Sequence, residues 1–197
     1  MTQQPWRGAI AWTFCTALLA VSAVAAQQQP SPPTKQLGQA AVQYRDKAIH
    51  VVAAYYYSQR NHDSRWLLLQ AGVSTADEAV IKRDAIGLRT PQGQVIPLAT
   101  QRRVGEDTKQ VEQLLQNASV QTHNVASYFK QPDRFEDMQL FRLAFGPVVH
   151  DEFIVDRDRA ALGPLFFESP TGAWERGTYT LVVRHAKGSA ELPINLE

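Results

Sequence analysis

The sequence predicts a mainly β protein, an antiparallel β-sandwich that carries one amphipathic helical insertion. Short runs rich in β-branched and aromatic residues recur between turn residues from Ala40 onward. The last two runs alternate between apolar and polar residues, as strands with one buried face do. Residues 107–129 have helical spacing instead. We therefore expect about eight strands and one helix in a single domain over residues 40–197.

The first 26 residues have the pattern of a secretory signal peptide. Arg7 precedes the apolar stretch AIAWTFCTALLAVSAV, and small residues follow it. We expect cleavage after Ala26 and a location in the periplasm or outside the cell, with membrane contact only through this segment. An uncleaved N-terminal anchor is the alternative. Residues 27–39, QQQPSPPTKQLGQ, are polar and Pro-rich and predict an extended linker.

Composition argues against several classes of function. Cys15 is the only cysteine and lies in the signal peptide, so the mature chain has no thiolate nucleophile and no cysteine-ligated metal. The chain has 20 Lys and Arg against 19 Asp and Glu, and loss of Arg7 leaves 19 against 19. This balance gives no electrostatic reason to bind nucleic acid. The chain contains no nucleophile elbow, phosphate-binding glycine loop or helical zinc motif, so we expect no metal and no cofactor.

The individual strands follow from the chain in order. KAIHVVAAYYYSQ predicts a long strand and NHDS a turn, and RWLLLQAGVST predicts a second strand whose run Trp66–Leu69 indicates burial on both faces. AVIKRDAIGLRT is broken at Asp84, and the turn PQGQ joins it to VIPLA in a hairpin. FEDMQLFRLAFG, VVHDEFIVD and GPLFFES predict three more strands. GTYTLVVRHA and AELPINLE predict a C-terminal hairpin in which Tyr179, Leu181 and Val183 point inward.

The helical insertion is predicted from one apolar stripe. Its residues, at offsets of zero, three, four and seven, are Val111, Leu114, Leu115 and Ala118. Asp107 is the expected N-cap, and Gln110 would complete a capping box. If the helix is unbroken over residues 119–122, the stripe continues to Val125 and Phe129.

Two stretches resemble parts of known exported proteins. The C-terminal stretch resembles the last hairpin of immunoglobulin-like modules in exported bacterial proteins, through Gly172, Trp174, Gly177, Tyr179, Leu181, Val183, Gly188, Leu192 and Ile194. WLLLQAGVST followed by IGLRTPQGQVIPLA is similar to the paired strands of small exported domains of uncharacterised function. Those families usually have an Asn after the first strand, where this chain has Ser74-Thr75-Ala76. The resemblance implies an immunoglobulin-like sandwich and no particular activity.

An aromatic cluster is the candidate ligand-binding site. On a strand, the first and third residues of the YYY run share one face and the second takes the other. A Trp lies across the following turn, and two flanking arginines would attract an acidic ligand. Such aromatic platforms bind sugars, peptides and flat ligands, although tyrosines also straddle core edges with their hydroxyl groups in water. The candidate residues are Tyr55, Tyr56, Tyr57, Arg60, Arg65 and Trp66.

Two groups of histidines and carboxylates are the alternative candidates for chemistry. His62 and Asp63 lie in a predicted turn, and His150 and Asp151 begin a strand that ends near Asp156. A His–Asp pair can serve as a base or bind a metal. Interleaved arginines favour the simpler interpretation of a solvated strand end with local salt bridges.

We predict from these observations an exported, non-enzymatic binding or accessory module of the bacterial cell envelope. Its expected partner is an envelope protein, bound through a free sheet edge or through the Tyr55–Trp66 hairpin. The alternative is an envelope hydrolase or metal-dependent enzyme with a His/Asp site. Trp174, which lies between two glycine turns, is expected to cover one end of the sandwich rather than to bind a ligand.

Overall fold

A computed structural model describes residues 33–61, 64–120, 124–142 and 148–197. They belong to one compact unit, Pro32–Glu197. The predicted signal peptide, the start of the linker and the His62-Asp63 pair lie outside the described residues.

The described residues form twelve strands, three α-helices and two short 3₁₀ helices. The strands are β1 (Thr34–Gln36), β2 (Ala41–Arg45), β3 (Ile49–Ala54), β4 (Trp66–Thr75), β5 (Ala79–Lys82), β6 (Ile86–Arg89), β7 (Val95–Pro97), β8 (Arg134–Asp137), β9 (Glu152–Val155), β10 (Arg159–Glu168), β11 (Gly177–His185) and β12 (Gly188–Leu196). The helices are α1 (Tyr56–Arg60), α2 (Gln101–Glu106) and α3 (Thr108–Ser119), with 3₁₀ turns at Arg83–Ala85 and Val125–Tyr128.

The strands form three sheets. The first has six strands in the order β1-β2-β3-β4-β10-β8, and the second has four in the order β12-β11-β6-β7. A third sheet pairs β5 with β9. All pairs are antiparallel except β8 with β10. The predicted mainly β fold class is confirmed.

One core joins the two larger sheets, as in a β-sandwich. Val51 and Leu69 of the first sheet and Leu181 and Leu192 of the second belong to the same cluster of buried side chains. Tyr179, Leu181 and Val183 are all buried, so the predicted inward face of the C-terminal hairpin is confirmed.

The helices cover the other face of the six-stranded sheet. Trp66 and Leu68 of β4 pack with Phe166 of β10, Val104 of α2 and Val111 of α3. Strand β4 is therefore buried on both faces, as its apolar run predicts. A second patch on this face packs Phe129, after the second 3₁₀ turn, against β3.

The structure corrects several predicted boundaries. The long first strand is wrong at its C-terminal end, because the chain turns into α1 at Tyr56. Part of the predicted linker, Thr34–Gln36, pairs with β2 as an edge strand. The predicted helix is present as α3, but another helix, α2, precedes it and a separate 3₁₀ turn occupies Val125–Tyr128. The two α-helices and the separate 3₁₀ turn thus replace one continuous insertion.

Candidate functional site

The six predicted ligand-binding residues do not form one aromatic surface. Tyr55 and Trp66 are each only 1% exposed, so their rings belong to the core. Tyr55 directly follows the last residue of β3, whereas Tyr56 and Tyr57 lie in α1. The prediction that Tyr55 and Tyr57 share one face of a strand is therefore wrong. Arg60 is exposed at the end of α1.

A buried serine fixes the position of α1 and of its tyrosines. The Ser58 hydroxyl donates to the carbonyl of Leu68 at 2.7 Å and accepts from the Leu68 N–H at 3.1 Å. Tyr57 packs with the cluster beneath α3, and the Tyr56 hydroxyl is hydrogen-bonded to Tyr128. The half-buried tyrosines therefore serve the packing of α1 and leave only part of each ring at the surface.

Arg65 and Trp66 instead take part in a charged network that the sequence did not reveal. The Trp66 indole N–H donates to Asp107 Oδ2 at 3.3 Å, and Arg65 lies 3.3 Å from the same oxygen. Arg65 and Arg103 both bind Glu168, Arg103 with an Nε–Oε2 distance of 2.7 Å. The network links α2 and the start of α3 to β4 and β10.

Asp107 occupies the predicted N-cap position of α3. Its side chain makes no capping hydrogen bond to α3 and faces Trp66 and the two arginines. The first turn is closed by backbone bonds, with the Gln110 N–H 3.0 Å from the Asp107 carbonyl. Hydrogen bonds from Arg103 to Glu106 and Glu168 raise the pKa of Arg103. The predicted capping box is therefore wrong.

The alternative catalytic residues lie at separate places. Arg83 binds Asp151 at 2.8 Å, donates to the carbonyls of Ala99 and Leu140, and stacks on Phe141. Asp156, at the other end of β9, binds Arg159 at 2.8 Å, and this hydrogen bond lowers the pKa of the Asp156 carboxyl. Within the described parts of the chain, no three His, Cys, Asp or Glu side chains are grouped to hold a metal ion.

Trp174 is buried at one end of the sandwich. Its side chain is 4% exposed, and its indole N–H donates to the Arg65 carbonyl at 3.1 Å. The ring packs edge-on against Tyr179 at 5.4 Å between centroids. The predicted role as an end cover is confirmed.

A pocket around His50 lies at the end of β4, whereas Trp174 lies beside its start. It has a volume of about 170 Å³ and is formed by the β2–β3 turn, the end of β4, Gln131 and Arg157. We call it the His50 pocket. His50 is 7% exposed, and its ring lies 4.4 Å from that of Phe129. Burial, assisted by the charge of Arg45, lowers the pKa of His50 to about 4.

The fold and these sites define a mainly β protein with two sheets on one core and helices on the outer face of the larger sheet. Comparisons with protein families, with curated proteins and with solved structures gave no match for this chain. In the part of the chain that the structure describes, none of the helices has the length and hydropathy needed to span a bilayer.

Proposed function

We propose that this chain is an exported, non-enzymatic binding or accessory module of the bacterial cell envelope. The N-terminal sequence supports export, through its apolar stretch and the small residues before Gln27. A module of this kind needs a stable scaffold with one or more accessible surfaces and no assembled catalytic group.

The observation that carries this proposal is the pairing of the candidate carboxylates with arginines. Asp151 binds Arg83 and Asp156 binds Arg159, at opposite ends of β9. A general base works best with a pKa near the working pH, and the pKa of Asp156 is shifted away from it. These carboxylates therefore support a role in holding turns together better than a role in proton transfer.

The surface around α1 is the better of the two partner surfaces considered from the sequence. The longest sheet edge, β12, is unfavourable for strand addition because Pro193 has no N–H and the Glu191 carbonyl accepts from the Thr34 hydroxyl at 3.3 Å. Arg60 is exposed, and part of Tyr57 reaches the surface beside it. We propose that an envelope protein contacts this α1 surface.

Partner capture from envelope extract tests the proposal. Chemical cross-linking with the wild-type protein and with Arg60→Glu should recover one specific envelope protein with the first and much less with the second. Lys109→Glu is the matched control, because Lys109 is also exposed but lies on α3. Equal recovery by all three proteins would reject the α1 surface. Turnover of envelope material that disappears in His150→Ala would reject a non-enzymatic role.

We also propose that the second sheet is related to immunoglobulin-like modules. The support is the nine-residue register of β11 with β12 and the buried Trp174 before it. Strands β1 to β4 follow one another side by side, which is a meander rather than the strand order of an immunoglobulin sandwich. The proposal therefore concerns the C-terminal hairpin and its neighbour β6.

A further inference from the structure

Three cations surround the His50 pocket without salt bridges to the described residues. Arg45 and Lys47 flank the β2–β3 turn, and Arg157 lies in the turn before β10. All three are exposed. Cations brought together from two distant turns repel one another unless a counter-ion lies between them.

Among the described residues, Asp46 is the carboxylate that lines the pocket, and its own turn already binds it. Asp46 Oδ1 accepts from the N–H groups of Ala48 at 2.7 Å and Ile49 at 2.8 Å, and Oδ2 accepts from the Tyr44 hydroxyl at 3.0 Å. Burial alone would raise the pKa of Asp46, but these hydrogen bonds together lower it. Asp46 therefore stays ionised and holds the turn, and the pocket keeps an excess of two positive charges from the three cations and this one acid.

One of the residues that line the pocket carries a buried polar atom without a partner. Among the described residues, Nε2 of His50 is the buried side-chain nitrogen or oxygen that has no hydrogen-bond partner. Such atoms are uncommon in native structures, and a neighbouring water or ion is one of their explanations. His50 is more than nine-tenths buried and lines the same pocket as the three cations.

The size of the pocket limits the ligand. Drug-sized ligands occupy roughly 300–1,000 Å³, whereas the His50 pocket measures about 170 Å³. It has room for a small oxyanion and a few waters. The donors at its rim are guanidinium and ammonium groups, which match the oxygens of phosphate and sulfate.

We propose that the His50 pocket binds a phosphate or sulfate group between Arg45, Lys47 and Arg157. The two guanidinium groups donate to the oxyanion from opposite turns, and the ammonium of Lys47 adds a third charge. Binding would link the β2–β3 turn to the turn before β10. The oxyanion is either a free ion or the phosphate of a lipid headgroup, since both present the same oxygens.

Titration of the purified full-length protein with inorganic phosphate at low ionic strength tests the site. We expect saturable binding, with amide NMR shifts concentrated at residues 45–50, 74–76, 131 and 157. Arg45→Gln and Arg157→Gln should each weaken phosphate binding by roughly tenfold, which is the usual effect of losing one charge-assisted hydrogen bond. Lys109→Gln removes an exposed charge on α3 and should leave the affinity unchanged.

The outcomes distinguish the two sources of the ligand. The ligand is a lipid headgroup if the protein sediments with phosphatidylglycerol vesicles, if Arg157→Gln abolishes this sedimentation, and if phosphate competes with it. Phosphate binding without sedimentation would identify a free ion. Shifts that do not saturate, or that are the same in Arg45→Gln, Arg157→Gln and Lys109→Gln, would overturn the proposal. All the substituted side chains are exposed, so circular dichroism spectra should show that each variant folds.

Discussion

Acid should destabilise this protein through His50. The pKa of His50 is about 4 in the folded chain and 6.5 in the reference state, so between these values the unfolded chain binds more protons. Stability due to this group is therefore fully present above pH 6.5 and falls as the pH is lowered toward 4. From these two pKa values, moving from pH 7 to pH 4.5 costs about 2 to 3 kcal/mol. Leucine at this position has no proton to bind.

Urea denaturation of the wild-type protein and of His50→Leu at the two pH values measures this contribution. We expect the loss of unfolding free energy on acidification to be smaller in His50→Leu by about 2 kcal/mol. His150→Gln is the control, because His150 is exposed. It should behave as the wild type does. Equal acid sensitivity of wild type and His50→Leu, measured in chloride without phosphate, would refute the reasoning.

Three packing predictions follow from the same structure. Gly72→Ala should lower the unfolding free energy by about 1–3 kcal/mol, because the added Cβ would lie 2.6 Å from Phe129 Cε2 and 2.8 Å from Leu162 Cδ2. An unchanged unfolding free energy in urea denaturation would contradict this close contact. Gly105→Ala, in α2 with open space around it, should instead stabilise by about 0.5–1 kcal/mol in the same assay. Trp174→Phe should cost about 1 kcal/mol by removing the bond to the Arg65 carbonyl, and Trp174→Ala about 3–5 kcal/mol, measured by the same method; equal losses would show that the hydrogen bond dominates.

The sequence predicted the strands whose pattern is strong over their whole length. Strand β4 was recognised because its run Trp66–Leu69 is apolar on both faces, and both faces are covered. The hairpin β6–β7 was recognised because PQGQ has the composition of a turn, and Gly93 adopts a φ of 88° there. Local chemistry decides both features, so a single sequence is sufficient to find them.

The candidate site could not be predicted in the same way, because tertiary contacts decide it. The YYY run has strand propensity, but Ser58 binds Leu68 of the neighbouring strand and the Gln59 N–H donates to the Tyr55 carbonyl, which starts α1. Asp is a residue type that often caps helices, but the Asp107 carboxylate binds Trp66 and Arg65, which are more than 40 residues away in sequence. Local patterns do not encode such long-range partners.

Acid sensitivity and anion binding should be coupled at His50. The positive charge of Arg45 contributes to the low pKa of His50, and an oxyanion between the rim cations would offset that charge. A bound oxyanion should therefore raise the pKa of His50, and by linkage it should bind more tightly to the protonated form. Sulfate is the suitable ligand for this test because it stays a dianion over the pH range, whereas phosphate takes up a proton. The loss of unfolding free energy between pH 7 and pH 4.5 should then shrink in saturating sulfate, but not in Arg157→Gln. If sulfate stabilises both proteins equally at both pH values, the anion binds elsewhere.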